Sequence, residues 1–559
     1  MPENTVYRRN LLALALHNSV LAQKLSQESF DDETNSSIRF IQAKTGHTVP
    51  VIEKNGTTLP LHSTFNPERE GERIGELYLA SGFLVFFGLG AGYHIQPFLS
   101  SDKVNVIVII ERSLKLFSKL LEHIDLCHIF NDHRVKVLVD ATIPELRDFF
   151  LAHYLPGLFG DLATIPLLPR LTGEKEYFKE VAVCVEQTIN TIADDYTVQV
   201  KFGKQWFRNT LHNLFTAEHT TFTLAPQKKI IITGAGPSLE SSINKIKMQK
   251  KGRFLIATDT SLPVLLDHDI VPDCVISIDC QQISYHHFIG GFPPDIPLVL
   301  DLASPPILSQ LSNRVVFFSS GHPFAQYISA HWRSFPGIDT TGGNVSHAAV
   351  SLAERLGARE IILYGLDFSY PAGKTYSRGS YLYKYFYGLQ YRFDTVESLF
   401  AAFIFKNKGL LTEKIGSILR YVPRPLLTYK ERLESVLHSK NISVVHERVD
   451  GLPLAVQTDF SAEKQDRNIN ILFTAGPAEC SVKEFLLEYR NEISNLPEPK
   501  NPVINYLYGL SRAERDIWMT QFPAVAALRD YTKGAEQDGA MLLKKVKKWT
   551  TAIIDAVIT

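Results

Sequence analysis

The chain is short of the features that define several protein classes. Its 58 basic and 59 acidic residues leave a formal net charge of −1. No overall positive field therefore draws it to nucleic acid or to an anionic membrane. Only five of the 559 residues are cysteines, and no two of them form a CxxC pair. We expect no disulfide framework and no zinc ribbon, and the sparse cysteines suit a reducing compartment.

Long apolar runs are also missing. No uninterrupted stretch approaches the roughly 18 residues that a membrane-spanning helix needs. Arg8 and Arg9 precede the apolar run Leu11–Leu16, which is similar to a secretory or twin-arginine signal, but the run stops at His17. An amphipathic helix that continues to Leu25 explains this pattern more simply. We expect a cytoplasmic protein without a membrane span.

What is present is an alternation of short apolar strands with helices. The length favours three or four units of about 100–200 residues each. The pattern predicts a helix and small β region at 1–70 (with turns at Thr45-Gly46 and Asn55-Gly56), a Rossmann-like domain with a helical bridge at 71–225, a central domain at 226–460 and a helical domain at 461–559. The predicted fold class is α/β, with a central Rossmann-like, mostly parallel sheet flanked by the N-terminal α/β unit and the helical C-terminal unit.

A glycine-rich turn marks the first α/β unit. Gly88, Gly90 and Gly92 follow the predicted strand Phe83–Phe87, and Glu111 ends the next strand. This arrangement resembles the cofactor end of S-adenosylmethionine methyltransferases, in which an acidic residue at that spacing binds the ribose. Since no further methyl-transfer motif follows, a structural or interaction role is the alternative hypothesis.

In the central domain, each buried strand ends in a small or acidic residue. The predicted strands are Lys229–Thr233, Phe254–Ala257, Cys274–Ile278, Leu298–Leu300, Val315–Phe318 and Glu360–Leu363. Ligands of open parallel sheets bind beyond the carboxyl ends of the strands. Asp259 and Asp279 each follow such a strand, so we expect them to converge at the ligand edge, although capping of the next helix is the alternative.

Two turns in this domain are candidate phosphate sites. The first, Gly234-Ala235-Gly236-Pro237-Ser238, joins a strand to a helix, whose N-terminus offers free N–H groups to an anion. Ser238 is placed to cap that helix or to bind a phosphate or ribose. The turn lacks the Gly-Lys-Ser/Thr ending of a P-loop, which argues against an ordinary ATPase.

The second turn is Thr341-Gly342-Gly343-Asn344, and it also opens a helix. An ordinary helix cap is the alternative explanation for its residues. Tyr370 and Tyr376 follow on a Pro/Gly turn, from which both phenols would point back over 341–346. Neutral phenol donors suit a departing phosphate, because they stabilise developing charge without trapping the product as an ion pair.

Three further groups have more than one interpretation. His347 lies in the first turn of a helix, where a packed histidine is commoner than a catalyst. His286-His287 has no third ligand at metal spacing, which favours a surface pair. The tyrosines of 381–391 are either a lid or acceptor platform, or simply helix packing.

These motifs carry a family resemblance. Residues 234–239 (Gly-Ala-Gly-Pro-Ser-Leu), 257–262, 271–279 and 341–344 resemble those of motility accessory factor (Maf) proteins, flagellin glycosyltransferases that share a domain named for archaeal 6-hydroxymethylpterin diphosphokinase (MptE-like). Bacterial CMP-sialic acid sialyltransferases are similar in the Thr-Gly helix start, the Leu-Gly-x-x-Glu-Ile strand, the Gly-Ile-Asp-Phe loop and two tyrosines six residues apart. The resemblance covers residues 228–380.

The resemblance implies a sialyltransferase-like topology and an inverting, metal-independent transfer that requires no cofactor. A nonulosonic sugar of the pseudaminic or legionaminic type would pass from its CMP form to Ser or Thr hydroxyls of flagellin. The implied roles are the nucleotide for Gly234, Gly236 and Ser238, the base, ribose or sugar for Asp259 and Asp279, and the phosphate for Thr341, Gly342, Gly343 and Asn344 with Tyr370 and Tyr376.

One departure leaves the general base open. The sialyltransferases place a catalytic histidine after the tyrosine loop, whereas no histidine lies between His347 and His438 here. Asp259, Asp279 and Asp394 are the candidates, with Asp259 ranked among the catalytic residues beside Tyr370 and Tyr376. Two other functions stay open: diphosphate transfer from ATP to a pterin alcohol, with Mg²⁺ on Asp259 and Asp279, and non-catalytic binding of flagellin.

Overall fold

The computed structural model describes residues 5–27, 36–54, 57–78, 81–406, 409–440, 442–447, 450–456, 472–529 and 538–559. By internal contacts the chain forms two compact units, one comprising Met1–Gly203 with Glu492–Thr551 and the other Lys204–Asn491 with Ala552–Thr559. These units differ from the four segments that the sequence pattern suggested. Long-range contacts, such as the hydrogen bond from the Val503 N–H to Asn105 Oδ1 (2.9 Å), assign most of the C-terminal helical region to the first unit.

The first unit begins with a helix pair and two small sheets. Its elements in chain order are α1 (Thr5–Ala15), α2 (Ser19–Gln27), β1 (Ser36–Gln42), β2 (Thr48–Lys54), β3 (Thr57–Pro60), α3 (Pro67–Tyr78), β4 (Phe83–Phe87), α4 (Gln96–Leu99), β5 (Val106–Glu111), α5 (Leu114–His123), α6 (Cys127–Phe130), β6 (Val135–Val139), α7 (Ile143–His153), α8 (Pro156–Phe159), β7 (Leu162–Pro166), α9 (Leu168–Gly173) and the start of α10 (Lys175–Ala217). Strands β1–β3 are antiparallel, and the order β6-β5-β4-β7 forms a parallel sheet. Every residue of β4 and β5 is buried, as expected when helices cover both faces of a parallel sheet.

The predicted N-terminal helix is present but is interrupted between α1 and α2. The predicted turn at Thr45-Gly46 joins β1 to β2, with Gly46 in the left-handed region (φ 82°). The predicted turn at Asn55-Gly56 lies outside the described residues. Along the described ranges, no helix combines the length and the apolar character that crossing a membrane requires.

The protein's own side chains fill the glycine turn of the first unit. Arg170 Nη2 lies 2.5 Å from Glu111 Oε2, and the Leu89 N–H donates to Glu111 Oε1 at 2.7 Å. Both charged side chains are at most 1% exposed. A Cβ added at Gly88 would lie 2.8 Å from Arg170 Cγ, so the arginine occupies the space beside the turn. The carboxylate that would bind a cofactor ribose is therefore already engaged.

The second unit is built on one large sheet. Its elements are β8 (Lys229–Thr233), α11 (Leu239–Gln249), β9 (Phe254–Thr258), α12 (Leu262–Leu266), β10 (Cys274–Ser277), β11 (Leu298–Asp301), β12 (Val315–Phe318), α13 (Pro323–His331), α14 (Val345–Arg355), β13 (Glu360–Tyr364), β14 (Tyr370–Pro371), α15 (Tyr381–Leu389), α16 (Val396–Phe405), β15 (Leu411–Ile415), β16 (Ile418–Val422), α17 (Arg424–Ser439), β17 (Ser443–Glu447) and α18 (Val482–Asn495), with 3-10 helices at Gln282–Phe288 and Pro306–Gln310. The chain ends with α19 (Val503–Gly509), α20 (Arg512–Leu528) and α21 (Gly539–Ile558). The predicted helical character after residue 461 is confirmed where the structure describes the chain; residues 457–471 lie outside it.

The seven strands of this sheet run parallel in the order β12-β11-β10-β9-β8-β13-β17. The prediction of an α/β fold with a mostly parallel central sheet is thus confirmed. From β8 the chain runs outward through β9 to β12 and then returns to the other side of β8 as β13. Such a reversal of strand order opens a crevice at the carboxyl ends of the two strands.

An insertion follows β13 and covers this edge of the unit. Strands β14, β16 and β15 form a small antiparallel sheet, and the aromatic stretch at 381–391 forms α15 and the loop after it. No residue of α15 is fully buried, yet the rings of Phe386 and Tyr383 pack on Phe400 of α16. The outer side of this helix pair leaves Tyr387 59% exposed and Phe393 83% exposed.

Candidate functional site

The crevice between β8 and β13 is bounded by two glycine-containing loops. The Gly234 N–H donates to the Tyr364 carbonyl and the Gly236 N–H to the Gly365 carbonyl, each at 2.8 Å. A Cβ on Gly234 would lie 2.8 Å from the Gly365 oxygen, so only glycine permits this approach. The loops after β8 and β13 therefore form one continuous wall at the switch point of the sheet.

Asp367 occupies the turn after β8. Its Oδ2 accepts the Ser238 N–H at 3.0 Å, at the N-terminus of α11, and a Cβ on Gly236 would lie 2.1 Å from that oxygen. Burial raises the pKa of this carboxyl, and the hydrogen bond from the Ser238 N–H opposes the increase. Asp367 Oδ1 and Ser238 Oγ are both buried without a hydrogen-bond partner among the described residues. A carboxylate of the protein thus lies where the sequence suggested room for an anion, beside two unpaired oxygen atoms.

The turn Thr341–Asn344 forms a capped N-terminus of α14. Asn344 Oδ1 accepts the His347 N–H and pairs with His347 Nδ1, each at 3.0 Å. Since the backbone N–H can only donate, the shared oxygen fixes Nδ1 as the protonated ring nitrogen. Burial lowers the pKa of His347 to about 4, and Arg432 acts in the same direction. The ring lies against Gly342, where a Cβ would be 2.1 Å from two ring carbons.

Three tyrosines link this turn to the loop after β13. Burial raises the pKa of both Tyr370 and Tyr376, and each has a second phenol within electrostatic range: Tyr376 for Tyr370, and Tyr429 for Tyr376. A Cβ on Gly343 would lie 3.0 Å from Tyr429 Cε1 and 3.6 Å from Arg432 Nη1. The three phenols therefore run from β14 to the exposed Gly343, and the raised pKa values keep Tyr370 and Tyr376 neutral near pH 7.

Residues Lys374, Ser377 and Arg378 tie the tyrosine loop, residues 370–381, to the turn after β8 and the start of α11, with the Arg378 N–H donating to Glu240 Oε1. The Ser377 N–H donates to the Ala235 carbonyl at 3.0 Å, and Lys374 Nζ lies 2.6 Å from Glu240 Oε1 on α11. In the sequence, Tyr376 thus lies between Lys374 and Ser377, two of the residues that make these contacts. The turn at Gly236 thus contacts the tyrosine loop directly, whereas the turn at Gly343 contacts Tyr429 of α17, which lies within electrostatic range of Tyr376.

Three carboxylates line the other half of the sheet edge. Asp259 follows β9 and accepts the Thr260 N–H and the Ser277 hydroxyl, both at 2.7 Å. Burial raises the pKa of Asp279, after β10, and the negative charge of Asp259 adds to this increase. Burial also raises the pKa of Asp301, which ends β11. The described ranges hold no group of three or more His, Cys, Asp or Glu side chains arranged as metal ligands.

The structure places Asp394, the third candidate base, in the loop between α15 and α16. Its N–H donates to the Tyr391 carbonyl at 3.0 Å, and Tyr391 returns the same bond. Asp259 and Asp279, by contrast, lie at neighbouring strand ends, as the sequence predicted.

Sequence reasoning missed three residues of the crevice: Asp367, Tyr429 and Arg432. Asp367 belongs to the acidic strand ends that the sequence pattern shows, as Asp259 does, but it was assigned no role in the site. Tyr429 and Arg432 are three residues apart on α17 and so share a helix face, but no local pattern shows which loop that face meets.

Two family models match the chain. The model described as 6-hydroxymethylpterin diphosphokinase MptE-like matches residues 205–373, and the model described as glycosyltransferase Maf N-terminal domain matches residues 59–136. The first match contains strands β8 to β13 and Tyr370, whereas Tyr376 and Tyr429 lie beyond its end. The second contains the filled glycine turn of the first unit.

Individual proteins are similar to parts of this chain. A protein of Treponema pallidum (strain Nichols), described as uncharacterized, is 36% identical over 165 residues, which are 29% of this chain and 79% of the relative. A second Treponema pallidum protein is 31% identical over 210 residues, 35% of this chain and 36% of the relative. The 6-hydroxymethyl-7,8-dihydropterin pyrophosphokinase of Methanothermobacter thermautotrophicus is 27% identical over 146 residues, 26% of this chain and 59% of that enzyme. The chain thus spans less than two thirds of the second and third of these relatives.

A solved structure shares the fold along nearly the whole chain. The Maf glycosyltransferase of Magnetospirillum magneticum AMB-1 superposes with a TM-score of 0.57 over 99% of this chain and 90% of that one, at 13% identity. The chain therefore belongs to the Maf glycosyltransferase family, in which it combines a Maf N-terminal domain with an MptE-like domain.

Proposed function

We propose that the chain is a protein O-glycosyltransferase that moves a nonulosonic sugar from a CMP-activated donor to Ser or Thr hydroxyls of flagellin. One observation carries this proposal: Tyr370, Tyr376 and Tyr429 line the path to a glycine turn at the N-terminus of α14. Such a site offers a departing monophosphate the O–H donors of the tyrosines, helix N–H groups and the cation of Arg432. It does not surround the phosphate with several fixed cations.

The turn after β8 would hold the ribose of the donor rather than its phosphate. Asp367 already fills the anion position at the start of α11. Its unpaired Oδ1 is an acceptor for a sugar hydroxyl, and the unpaired Ser238 Oγ is both donor and acceptor. This assigns the donor an orientation, with its ribose at Asp367 and its phosphate between Tyr376 and Gly343. Gly234 and Gly236 then contribute through their lack of a side chain, which lets the backbone of the loop after β13 and the Asp367 carboxylate lie close to the turn.

The acceptor and the transferred sugar would occupy the half of the edge lined by Asp259 and Asp279. Carboxylates there accept hydrogen bonds from sugar hydroxyls and favour the positive charge that develops at the anomeric carbon. We further propose that no bound cofactor takes part, since the donor itself carries the activated group.

A second function is favoured by the similarity to archaeal pterin pyrophosphokinases over 146 residues. In that case the chain would transfer diphosphate from ATP to a pterin alcohol, with Mg²⁺ bound at Asp259 and Asp279. The two functions differ in nucleotide and in metal dependence. A third, non-catalytic role in flagellin binding would depend on neither a nucleotide nor a metal.

Thermal-shift titration separates these functions. We expect CMP to raise the melting temperature without Mg²⁺ and ATP to have little effect. With CMP-pseudaminic acid and flagellin, the variant carrying Tyr370→Phe and Tyr376→Phe should release CMP about 10²–10³-fold more slowly than wild type, because the leaving phosphate loses its O–H donors. Stabilisation by ATP only with Mg²⁺ would favour the pterin reaction, and no response to either nucleotide would favour the binding role.

A further inference from the structure

The transfer proposed above requires a general base for the proton of the acceptor hydroxyl, and no residue has yet been assigned to that role. As the acceptor oxygen bonds to the anomeric carbon, its hydroxyl proton must be removed. Both oxygens of Asp259 already accept hydrogen bonds, from Thr260 and Ser277. An inverting reaction needs the base on the face of the sugar opposite the departing phosphate.

The 3-10 helix Gln282–Phe288 brings two histidines to the far end of the tyrosine loop. The ring centroids of His286 and His287 lie 4.9 and 5.7 Å from that of Tyr381, which starts α15 five residues after Tyr376. Both imidazoles are half-buried. A segment far earlier in the chain thus supplies histidines where the tyrosine loop ends.

His287 differs from His286 in what surrounds it. Asp279 lies within electrostatic range of His287: burial and Asp259 raise the pKa of that carboxyl, whereas His287 lowers it. Within the described ranges, His287 Nδ1 is buried and has no hydrogen-bond partner. Both oxygens of Asp279 accept hydrogen bonds from Gln281, so it is the charge of this carboxylate that favours the protonated form of the half-buried imidazole.

Strand order places this histidine away from the leaving group. The tyrosine loop is bonded to the turn after β8, whereas Gln282–Phe288 follows β10, two strands away. Adjacent strands are about 4.8 Å apart, so the two strand ends are separated by about 10 Å.

We propose that His287, whose protonated form the negative charge of Asp279 favours, is the general base that takes the proton of the acceptor hydroxyl. This assignment rests on the proposed function. In the step, the acceptor oxygen bonds to the anomeric carbon and the bond from that carbon to the phosphate oxygen breaks. The bonding electrons leave with CMP, the proton moves to the free ring nitrogen of His287, and solvent later removes it.

The test compares His287→Gln with His286→Gln, a change to the neighbouring ring that also contacts Tyr381. CMP release from CMP-pseudaminic acid with flagellin is measured together with the dissociation constant of CMP. We expect His287→Gln to lower kcat about 10²–10⁴-fold while CMP affinity and melting temperature stay near wild type. His286→Gln should leave kcat within about threefold, as expected for a neighbour outside the proton path.

Asp279→Asn provides a second variant in case His287→Gln folds poorly, and it should also reduce kcat at unchanged CMP affinity. A folded His287→Gln variant with kcat close to wild type would overturn the base assignment while leaving the proposed function intact. If wild type neither binds CMP nor releases it from the donor, the proposed function fails, and the base assignment fails with it.

Discussion

Asp367 is the residue whose position changes the interpretation of the crevice most. Glycine turns at helix N-termini commonly bind phosphate, but here a carboxylate of the same chain takes the Ser238 N–H. The second carboxylate oxygen is buried beside Gly451 and has no hydrogen-bond partner in the described structure, so a sugar hydroxyl that reached it would satisfy it. A hydrogen bond to a charged acceptor contributes about 1.5–3 kcal/mol, enough to select between ligands that differ by one hydroxyl.

Asp367→Asn tests this role directly. The amide can keep an oxygen for the Ser238 N–H, while its NH₂ group replaces the acceptor offered to the ribose. We expect wild type to bind CMP about 10–100-fold more tightly than 2′-deoxy-CMP and the variant to bind both nearly equally, as measured by calorimetry. Equal binding of the two nucleotides by wild type would show that Asp367 does not contact the 2′-hydroxyl.

The tyrosine loop owes its position to a few contacts with α11. Lys374 Nζ lies 2.6 Å from Glu240 Oε1, with the two side chains 26% and 28% exposed. A pair so accessible to solvent contributes about 1 kcal/mol or less to stability. It matters instead because it holds one end of the loop that carries Tyr376.

Glu240→Gln should therefore change local order more than global stability. We expect amide hydrogen exchange across 370–380 to accelerate several-fold as local opening becomes easier, with a melting temperature near that of wild type. Asp516→Asn, which removes the exposed i,i+4 partner of Arg512 on α20, is the control and should leave exchange across 370–380 unchanged. Unaltered exchange in Glu240→Gln would mean that the Lys374 ion pair is not needed to hold the loop, which the Ser377 bonds and the Arg378 N–H bond to residue 240 would still anchor.

Elements with strong local signals could be predicted from the sequence. Strand β8, an Ile-rich run before a glycine turn, and strand β12 were predicted with their observed boundaries. The hairpin β15–β16 was not predicted, because all five residues of β15 are exposed and show no alternation of apolar and polar side chains. The partnership of Tyr429 with Gly343 depends on how α17 packs, a long-range outcome that no local pattern encodes.

At the scale of the whole molecule, the first unit keeps a Rossmann-like sheet but closes its own glycine turn. Glu111 and Arg170 are both fully buried and pair at 2.5 Å. Removing one member of such a pair leaves an uncompensated charge, whereas replacing both with apolar residues is often tolerated. The stability of this unit is therefore linked to the same contact that blocks the turn.

A double-mutant cycle measures this linkage. Arg170→Leu is expected to lower the free energy of unfolding by about 3–5 kcal/mol, and the variant carrying both Glu111→Leu and Arg170→Leu to recover much of that loss. Urea denaturation gives the values. Additive effects of the two single changes would contradict the pairing, and a rise in wild-type melting temperature with S-adenosylmethionine would contradict a closed turn.

The first unit is also discontinuous in the chain, since Met1–Gly203 is completed by Glu492–Thr551. A ribosome working at about 5–20 residues per second needs roughly 15–60 s to add residues 204–491 before that closing segment emerges. Strands β8 to β17 all lie within residues 204–491. The second unit therefore has its whole parallel sheet while the first unit still lacks partners such as Val503. Connectivity alone thus gives the half that carries the crevice its whole sheet before the first unit's closing segment is made, while its own Ala552–Thr559 is added last.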